Sequence, residues 1–234
     1  MPEVVETAIK GLDVFLGGGL MEGSCILLMA PPNIEARLLC LEFIYRGIEK
    51  GQPGIIVTMD DSPESLKQKA VPYGWVLLKG EDEGTLKWVD GYSIHSDKEV
   101  QSTPVIKRVG GPMALTDTSI AISQLQAELH GRADNYRFVF DSLSTLLIYN
   151  SPETVHRFLE VIVSKIRNSK GVGIFTLGEG MHDQKVEMTM RHAVDGAIRL
   201  TDKMDLEVLS LPTPGARKKA KLELFRTGFE VRSE

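Results

Sequence analysis

Residues 25–50 constrain the fold of this chain more than any other stretch. They begin with an unbroken apolar run at residues 25–29, which is typical of a strand buried on both faces of a parallel sheet. Pro31 and Pro32 then interrupt the chain. Beyond them, apolar residues recur at spacings of three and four, which predicts an amphipathic helix that ends near Gly51. The stretch therefore predicts a strand, a tight turn and a helix, the unit from which parallel α/β sheets are built.

A turn between a buried strand and a helix is also the setting of the phosphate-binding P-loop, whose pattern is G-x-x-x-x-G-K-[ST]. Its glycines let backbone N–H groups surround phosphates, its lysine reaches the outer phosphates, and its hydroxyl binds Mg²⁺. All four defining positions differ here, so we expect the frame of a nucleotide site without its chemistry. Aligned with the pattern, the chain has Ala30, Pro31, Pro32, Asn33, Ile34, Glu35, Ala36 and Arg37.

Three of these substitutions oppose nucleotide binding on chemical grounds. Glu35 replaces a glycine near the helix N-terminus, where a carboxylate gains about 0.3–1 kcal/mol from the helix dipole. It either occupies the field that would attract phosphate or is a solvated acid of the first turn. Ala36 carries no charge where the lysine is expected, and the guanidinium of Arg37 cannot bind a metal ion. Alternatively, Arg37 itself takes over the phosphate contact from one position further round the helix.

Composition narrows the classes of function. A length of 234 residues suits one α/β domain that spans residues 1–234. The net charge is −5 and the basic residues are spread along the chain, so we expect no nucleic-acid partner. A membrane span needs an apolar stretch of about 18 residues, and the sequence contains none, so we expect no membrane span. Residues 1–6 are too short and acidic for a secretory leader. Cys25 and Cys40 fall at apolar positions, which favours buried thiols in a reducing cytoplasm over a disulfide or metal site.

Strand and helix patterns alternate along most of the chain. We expect helices capped by Ser62, Thr116 and Ser151. Residues 92–115 show no clear period and should be the least ordered part, and residues 178–188 should form a loop. The pattern predicts an α/β fold, a mostly parallel central sheet with helices on both faces. Further strands are expected near 54–59, 85–90, 136–141 and 172–177, and an antiparallel edge near 196–200, 206–211, 222–225 and 229–231.

Several stretches together resemble a known family. They are residues 7–13 (Thr-Ala-Ile-Lys-Gly-Leu-Asp), 16–20 (Leu-Gly-Gly-Gly-Leu), 22–24 (Glu-Gly-Ser), 51–64, 138–144 (Phe-Val-Phe-Asp-Ser-Leu-Ser) and 193–200. In this combination they resemble the KaiC-like branch of the RecA-type ATPases, a mostly archaeal group of single-domain proteins. The resemblance implies a RecA-like P-loop NTPase fold, and whether the chain is active is a separate question.

The resemblance also assigns roles to three acids. Asp141 matches the Walker B aspartate, which holds Mg²⁺ through water in the family. Asp60 and Asp61 match an acidic pair, usually two glutamates, that supplies the catalytic base. Both are one methylene shorter than glutamate, and both are also well placed to cap the helix after Ser62. We expect Arg37 to replace the lost metal by pairing with Asp141 on the adjacent strand end, or otherwise with Asp60 or Asp61.

Family members also supply cations to a neighbouring subunit through a Lys-x-Arg on a late strand. Ser210, Leu211 and Pro212 stand at those positions, so we expect this function to be lost. RecA-type proteins bind DNA through loops after the later strands, but residues 178–185 contain two acids and no aromatic platform. His182 and Asp183 in that segment are too few for a metal site.

Three hypotheses follow from these residues. The first is a pseudo-ATPase without cofactor that self-associates, or joins a related ATPase subunit or another protein, in cytoplasmic signalling or regulation. The second is an ATP-binding protein or weak ATPase that uses ATP and Mg²⁺ through an unorthodox loop. The third is a recombination accessory protein related to RadA. ATP binding separates the first two, and the third predicts salt-sensitive affinity for DNA.

Overall fold

The computed structural model describes residues 3–32, 34–95 and 101–232. The described strands are β1 (Val4–Val5), β2 (Leu20–Met21), β3 (Cys25–Ala30), β4 (Gly54–Thr58), β5 (Leu86–Asp90), β6 (Ile106–Arg108), β7 (Arg137–Asp141), β8 (Val172–Gly178), β9 (Gly196–Leu200), β10 (Asp205–Ser210), β11 (Lys219–Phe225) and β12 (Gly228–Arg232). The described helices are α1 (Leu12–Phe15), α2 (Ile34–Glu49), α3 (Pro63–Ala70), α4 (Leu77–Asp82), α5 (Leu115–Leu129), α6 (Leu143–Tyr149), α7 (Pro152–Asn168) and α8 (Gln184–His192).

Strands β3 to β12 form one sheet in the order β12-β11-β10-β9-β3-β8-β7-β4-β5-β6, and β1 pairs with β2. Neighbours from β9 to β6 in that order are parallel, and β10, β11 and β12 are joined antiparallel. The predicted α/β fold with a mostly parallel sheet is confirmed. The antiparallel edge of four strands, β9 to β12, is also confirmed, and β9 joins it to the parallel part because its other side pairs parallel with β3.

Helices cover both faces of the sheet, as predicted. One core contains side chains of α1 to α4, such as Phe43 and Leu66, and the other contains side chains of α5 to α8, such as Ile122 and Met190. The buried stripe of α7 is the predicted one, with Val155, Phe158, Leu159, Ile162 and Ile166 inside. Cys25 and Cys40 are buried free thiols. Within the described ranges, no helix is long and apolar enough to cross a membrane.

Two local predictions were wrong. Thr116 does not cap α5, because the carbonyl of Ala114 accepts the N–H of Thr118 and the helix starts at Leu115. Residues 178–188 are not all loop: α8 begins at Gln184, and it was missed because it buries only Met190. The segment 92–115 contains a 3₁₀ turn and strand β6, and its residues 96–100 lie outside the described residues, so the expectation that it is the least ordered part stays a prediction.

Helices α4 and α6 were also missed, since they have only six and seven residues and so show no clear period. Ser142 caps α6 by accepting a hydrogen bond from the backbone N–H of Thr145. Helix α6 therefore begins directly after β7.

The parallel strands bring several chain segments to one edge of the sheet. Ala30 at the end of β3 is paired with Gly178 at the end of β8, and Thr58 at the end of β4 with Asp141 at the end of β7. In open α/β sheets, ligands bind outside the carboxyl ends of the strands. This edge is where a functional site is expected.

Candidate functional site

A cleft of about 470 Å³ opens at the carboxyl edge of the sheet. Clefts of about 300–1,000 Å³ are typical of small-molecule sites. The lining comes from the turns after β3, β4 and β8, the first turn of α2, the ends of β7 and β8, and the start of α6. It includes Ala30, Pro31, Pro32, Ala36, Arg37, Asp60, Asp141, Ser142, Ser144, Thr145, Thr176, Gly178 and Met181.

Arg37 lies in this cleft among three carboxylates. Its Nε donates to Asp141 Oδ2 at 2.5 Å, and one terminal nitrogen donates to Asp60 Oδ2 at 3.2 Å. The other terminal nitrogen lies 3.9 Å from Asp61 Oδ2. The predicted pairing of Arg37 with Asp141 is confirmed. The expectation that Asp141 ends the adjacent strand was wrong, because β8 lies between β3 and β7 and the arginine reaches across it.

Burial and the neighbouring charges shift the pKa values of Arg37 and Asp141. Burial works to lower the pKa of Arg37, but Asp141, Asp60 and Asp61 outweigh it and raise that pKa above its ordinary value. Burial raises the pKa of Asp141, while Arg37 and a hydrogen bond from Thr176 oppose the rise. The Asp141 side chain is only 7% exposed, so its charge depends on the guanidinium beside it.

Asp60 is held by hydroxyl groups that sequence reasoning missed. Ser142 Oγ donates to Asp60 Oδ2 at 2.9 Å, and Thr145 Oγ1 donates to Oδ1. Thr176 Oγ1 on β8 donates to Asp141 Oδ1 at 2.8 Å. A Ser-x-x-Thr spacing directly after an apolar strand was the available signal for Ser142 and Thr145, since it is typical of a helix start.

Asp61 differs from its neighbour because it shapes the turn before α3. Its Oδ1 accepts the backbone N–H of Ser62 at 2.9 Å, and its backbone carbonyl accepts from Thr58 Oγ1 at 2.7 Å. Its other carboxylate oxygen pairs with Lys69. Burial works to raise the pKa of Asp61, but Lys69 and the neighbouring hydrogen bonds lower it overall. Ser62 caps α3 by accepting the N–H of Ser65, as predicted, so the helix-capping interpretation holds for neither acid: Asp61 fixes the turn before the helix, and Asp60 faces the cleft.

The other predicted residues fall outside the cleft or outside the described structure. Glu35 borders a different surface hollow, together with Lys203 and Lys221, which matches a first-turn acid near solvent. Ser210 and Pro212 are exposed and do not line the cleft. Asn33 and the side chain of Ile34 lie outside the described residues.

Comparison with known proteins identifies the family. The sequence profile described as "ATPase: KaiC" matches residues 5–218. The chain belongs to this KaiC-like ATPase family. It is 30% identical to a UPF0273 protein of Pyrococcus furiosus over 87% of this chain and 81% of that protein. It is 31% identical to a UPF0273 protein of Methanocaldococcus jannaschii over 87% of this chain and 83% of that protein.

A solved structure is similar to the whole chain. The KaiC-like protein of Pyrococcus horikoshii superposes with a TM-score of 0.77 at 20% identity, and the match covers 99% of each chain. At that identity the similarity shows the fold alone. The RecA-like fold inferred from the sequence is therefore confirmed for this KaiC-like chain, while its activity has to be argued from the cleft.

Proposed function

We propose that this chain is a pseudo-ATPase, a KaiC-like protein that holds its nucleotide cleft closed to Mg-ATP with its own arginine and acts by protein association. The observation that carries the proposal is the guanidinium of Arg37, which contacts Asp141 at 2.5 Å and Asp60 at 3.2 Å. In the family pattern, this helix position carries the hydroxyl that binds Mg²⁺.

The residues in the cleft do not fit Mg-ATP. A triphosphate needs cations around it, and a divalent metal needs free oxygen ligands. Here Ala36 stands at the lysine position, and Arg37 is engaged by carboxylates. Asp60 and Asp141 would repel phosphate once Arg37 turned away from them. The arginine that would have to bind phosphate is the one that neutralises these acids.

A second candidate, an ATP-binding protein with an unorthodox loop, draws support from one observation. The cleft has the volume of a ligand site and adjoins the loop after β3. For this candidate to hold, Arg37 must leave Asp141 for the phosphates. That exchange leaves the carboxylate of Asp141, which is only 7% exposed, without the charge that neutralises it.

We place the activity in association with other protein chains, in signalling or regulation. Without hydrolysis, a protein of this family would have to act by binding other molecules. Head-to-tail contacts between RecA-like domains produce rings or filaments. Without a bridging nucleotide, we expect a dimer or small oligomer of this chain, or a complex with a related subunit. Light scattering that shows only monomer at high concentration, with and without a related ATPase, would count against this part of the proposal.

Rebuilding the loop tests the assignment of the cleft. Consider a variant that combines Asn33→Gly, Glu35→Gly, Ala36→Lys and Arg37→Thr. The lysine returns a cation for phosphate, and the threonine returns a metal ligand next to Asp141. We expect this variant to bind Mg-ATP in calorimetry but not to turn it over. A cation supplied in trans is worth about 10³–10⁵ in rate, and Ser210 and Pro212 supply none.

The matched control keeps Ala36 and Arg37 and carries only Asn33→Gly and Glu35→Gly. It should remain silent in calorimetry, because backbone freedom alone provides no cation. Binding by this control or by the unchanged protein would favour the second candidate. Rapid hydrolysis by the rebuilt variant would show that the catalytic groups were misplaced.

A further inference from the structure

Helix α6 carries apolar side chains away from the cleft towards solvent. Thr145 lines the cleft, and Ile148 and Tyr149 follow it on the helix by three and four residues. Residues at these spacings are neighbours on the surface of a helix, so Ile148 and Tyr149 continue the side of α6 that faces the cleft. Both are exposed. The cleft therefore passes into an exposed apolar surface along α6.

Two methionines extend this surface. Met113 belongs to a loop that is joined to the end of α6, because Asn150 Nδ2 donates to the backbone carbonyl of Pro112 at 3.0 Å. Met181 itself lines the cleft and packs so closely on Gly178, at the end of β8, that a Cβ there would collide with its sulfur. The side chains that we call the apolar rim are between 45% and 71% exposed: Met113, Ile148, Tyr149 and Met181.

The apolar rim has the composition of a protein-binding surface. Tyrosine and methionine are enriched in the cores of protein interfaces, and tyrosine is among the residues whose removal weakens binding most. Exposed apolar side chains that occur singly are ordinary, whereas a group of them beside a cleft marks a site of interaction. A partner that covers the rim also covers the mouth of the cleft.

The charges of the cleft set the charge of such a partner. The cluster contains three carboxylates and two cations, which leaves one negative charge in excess: Asp60, Asp61 and Asp141, with Arg37 and Lys69. Asp60 is the most exposed of the three acids, at 25% of its side chain. The excess charge is therefore accessible at Asp60, and it attracts a cation.

The lining next to Asp60 suits a long basic side chain. Apolar groups of Pro31, Pro32 and Leu177 line the same cleft. Lysine and arginine bury their apolar stems along such surfaces and keep the charged group at a polar end. Thr145 occupies one of the two acceptor positions of Asp60 Oδ1, which leaves the other for an N–H donor. A hydrogen bond between two charged groups is stronger than one between neutral groups.

We propose that the cleft and the apolar rim together are the docking surface for a partner protein that presents a lysine or arginine between apolar side chains. The cation enters the cleft at Asp60, and the apolar side chains cover Tyr149 and Met113. This inference rests on the proposed function, because Mg-ATP would occupy the same space. The net charge of −5 favours a basic partner over a second copy, since two copies repel each other.

A random library of short peptides displayed on phage tests this chemistry on the intact, immobilised protein at low salt. We expect the enriched peptides to share a lysine or arginine with apolar neighbours. The peptide enriched most is then synthesised, and its Kd is measured by fluorescence anisotropy. No enrichment over an unrelated protein would overturn the proposal, and so would enriched peptides that lack a basic residue.

A matched pair of variants tests the apolar rim. Tyr149→Ser removes a side chain that is 52% exposed, and Leu78→Ser removes one that is 54% exposed from α4, on the opposite face of the sheet. We expect Tyr149→Ser to raise the Kd of the peptide about tenfold, and Leu78→Ser to leave it unchanged. Equal Kd values for the two variants would contradict docking on the rim.

Asp60→Asn tests the cation site, because it removes the charge and keeps the shape of the side chain. We expect the Kd of the same peptide to rise about tenfold or more, and the difference from the unchanged protein to shrink as salt is added. An unchanged Kd at low salt would contradict the pairing with Asp60. Because Tyr149 is exposed, the comparison of Tyr149→Ser with Leu78→Ser still decides the matter if Asp60→Asn fails to fold.

Two further measurements separate this inference from its rivals. Sedimentation velocity of the protein alone tests for a second copy on the rim. A dimer that is dissociated by Tyr149→Ser, but not by Leu78→Ser, would overturn the proposal in favour of self-association. Titration with Mg-ATP tests the proposed function separately. Binding of Mg-ATP would overturn both claims, whereas failure of the peptides alone would overturn the docking surface and leave the pseudo-ATPase in place.

Discussion

Two arginines at opposite ends of the same strand are buried in contrasting ways. Arg137 begins β7 and is fully buried, and it donates to the backbone carbonyls of Glu6, Thr7 and Phe43 and to the side chain of Gln52. Arg37 lies at the other end, against the carboxylate of Asp141, which ends β7. One guanidinium is held by neutral oxygens, and the other is held by charges.

The difference sets the structural role of Arg137 apart from the role that we propose for Arg37 in the cleft. Burial lowers the pKa of Arg137 to about 10, with only a partial opposing effect from Asp13, whereas the carboxylates raise the pKa of Arg37. Arg137 is fully buried, and its hydrogen bonds join the N-terminal segment and α2 to the sheet. Arg37 is 22% exposed and borders the cleft, so it faces any molecule that enters there.

Removing Arg137 should cause the largest loss of stability. Arg137→Met keeps much of the side-chain volume but leaves three backbone carbonyls without this donor, and each unpaired buried group costs about 1–3 kcal/mol. We expect a loss of about 3–5 kcal/mol in the free energy of unfolding, measured with urea. Arg137→Lys, which keeps some donors, should lose less. A loss below about 1 kcal/mol for the methionine variant would show that the carbonyls find other donors.

Arg37→Met should cost less, about 2–3 kcal/mol at neutral pH. Breaking a fully buried pair costs about 3–5 kcal/mol, and the partial exposure of Arg37 reduces the loss. Adding Asp141→Asn should recover a large part of it, because the unpaired charge is removed. A double-mutant cycle measures the coupling. Equal losses with and without Asp141→Asn would contradict the proposed pairing.

The pH dependence of the stability of Arg37→Met also tests the pairing of Arg37 with Asp141. Without the guanidinium, the pKa of Asp141 in the folded state should rise further above its unfolded value. The folded variant then binds a proton more readily than the unfolded chain, so protonation stabilises it as the pH falls. We therefore expect the stability gap between the unchanged protein and the variant to narrow from pH 7 towards pH 4. A gap that widens on acidification would contradict this sign.

Lys69→Met should have the smallest effect of these changes. Lys69 pairs with Asp61 at the outer side of the cluster and is 37% exposed, so solvent screens the pair. We expect a loss of about 0.5–1 kcal/mol in urea unfolding at neutral pH. The Asp61 pKa is lowered in the folded state, so this contribution should be lost as the pH falls below about 4. A loss as large as that of Arg37→Met would mean that the cluster extends to Lys69.

Much of the fold and part of the cleft could be predicted from the sequence for identifiable reasons. The parallel strands are buried on both faces, so their apolar runs stand out, and the pairing of Arg37 with Asp141 followed from positions in a known motif. Helices α4, α6 and α8 are short or bury few side chains, so their period was hidden. The partners of Asp60 were missed because they are far from it in sequence. Asp60 follows β4, Ser142 and Thr145 follow β7, and only the pairing of these two strands brings the three side chains together.

Arg137 shows a second limit of sequence reasoning. Its acceptors come from residues 6, 7, 43 and 52, which are brought together only by the folded sheet. A backbone carbonyl has no signature in sequence, because every residue has one. Charged pairs can be proposed from residue types, whereas an arginine held by carbonyls cannot.

Direct titration of the unchanged protein with Mg-ATP by isothermal calorimetry tests the central claim, that Arg37 holds the cleft against nucleotide. We predict no heat of binding with millimolar Mg-ATP and no rise in melting temperature. A ligand at a hundredfold excess over its Kd would stabilise the fold by about 2.7 kcal/mol. The rebuilt quadruple variant serves as the positive control. Saturable binding of Mg-ATP to the unchanged protein would contradict the account.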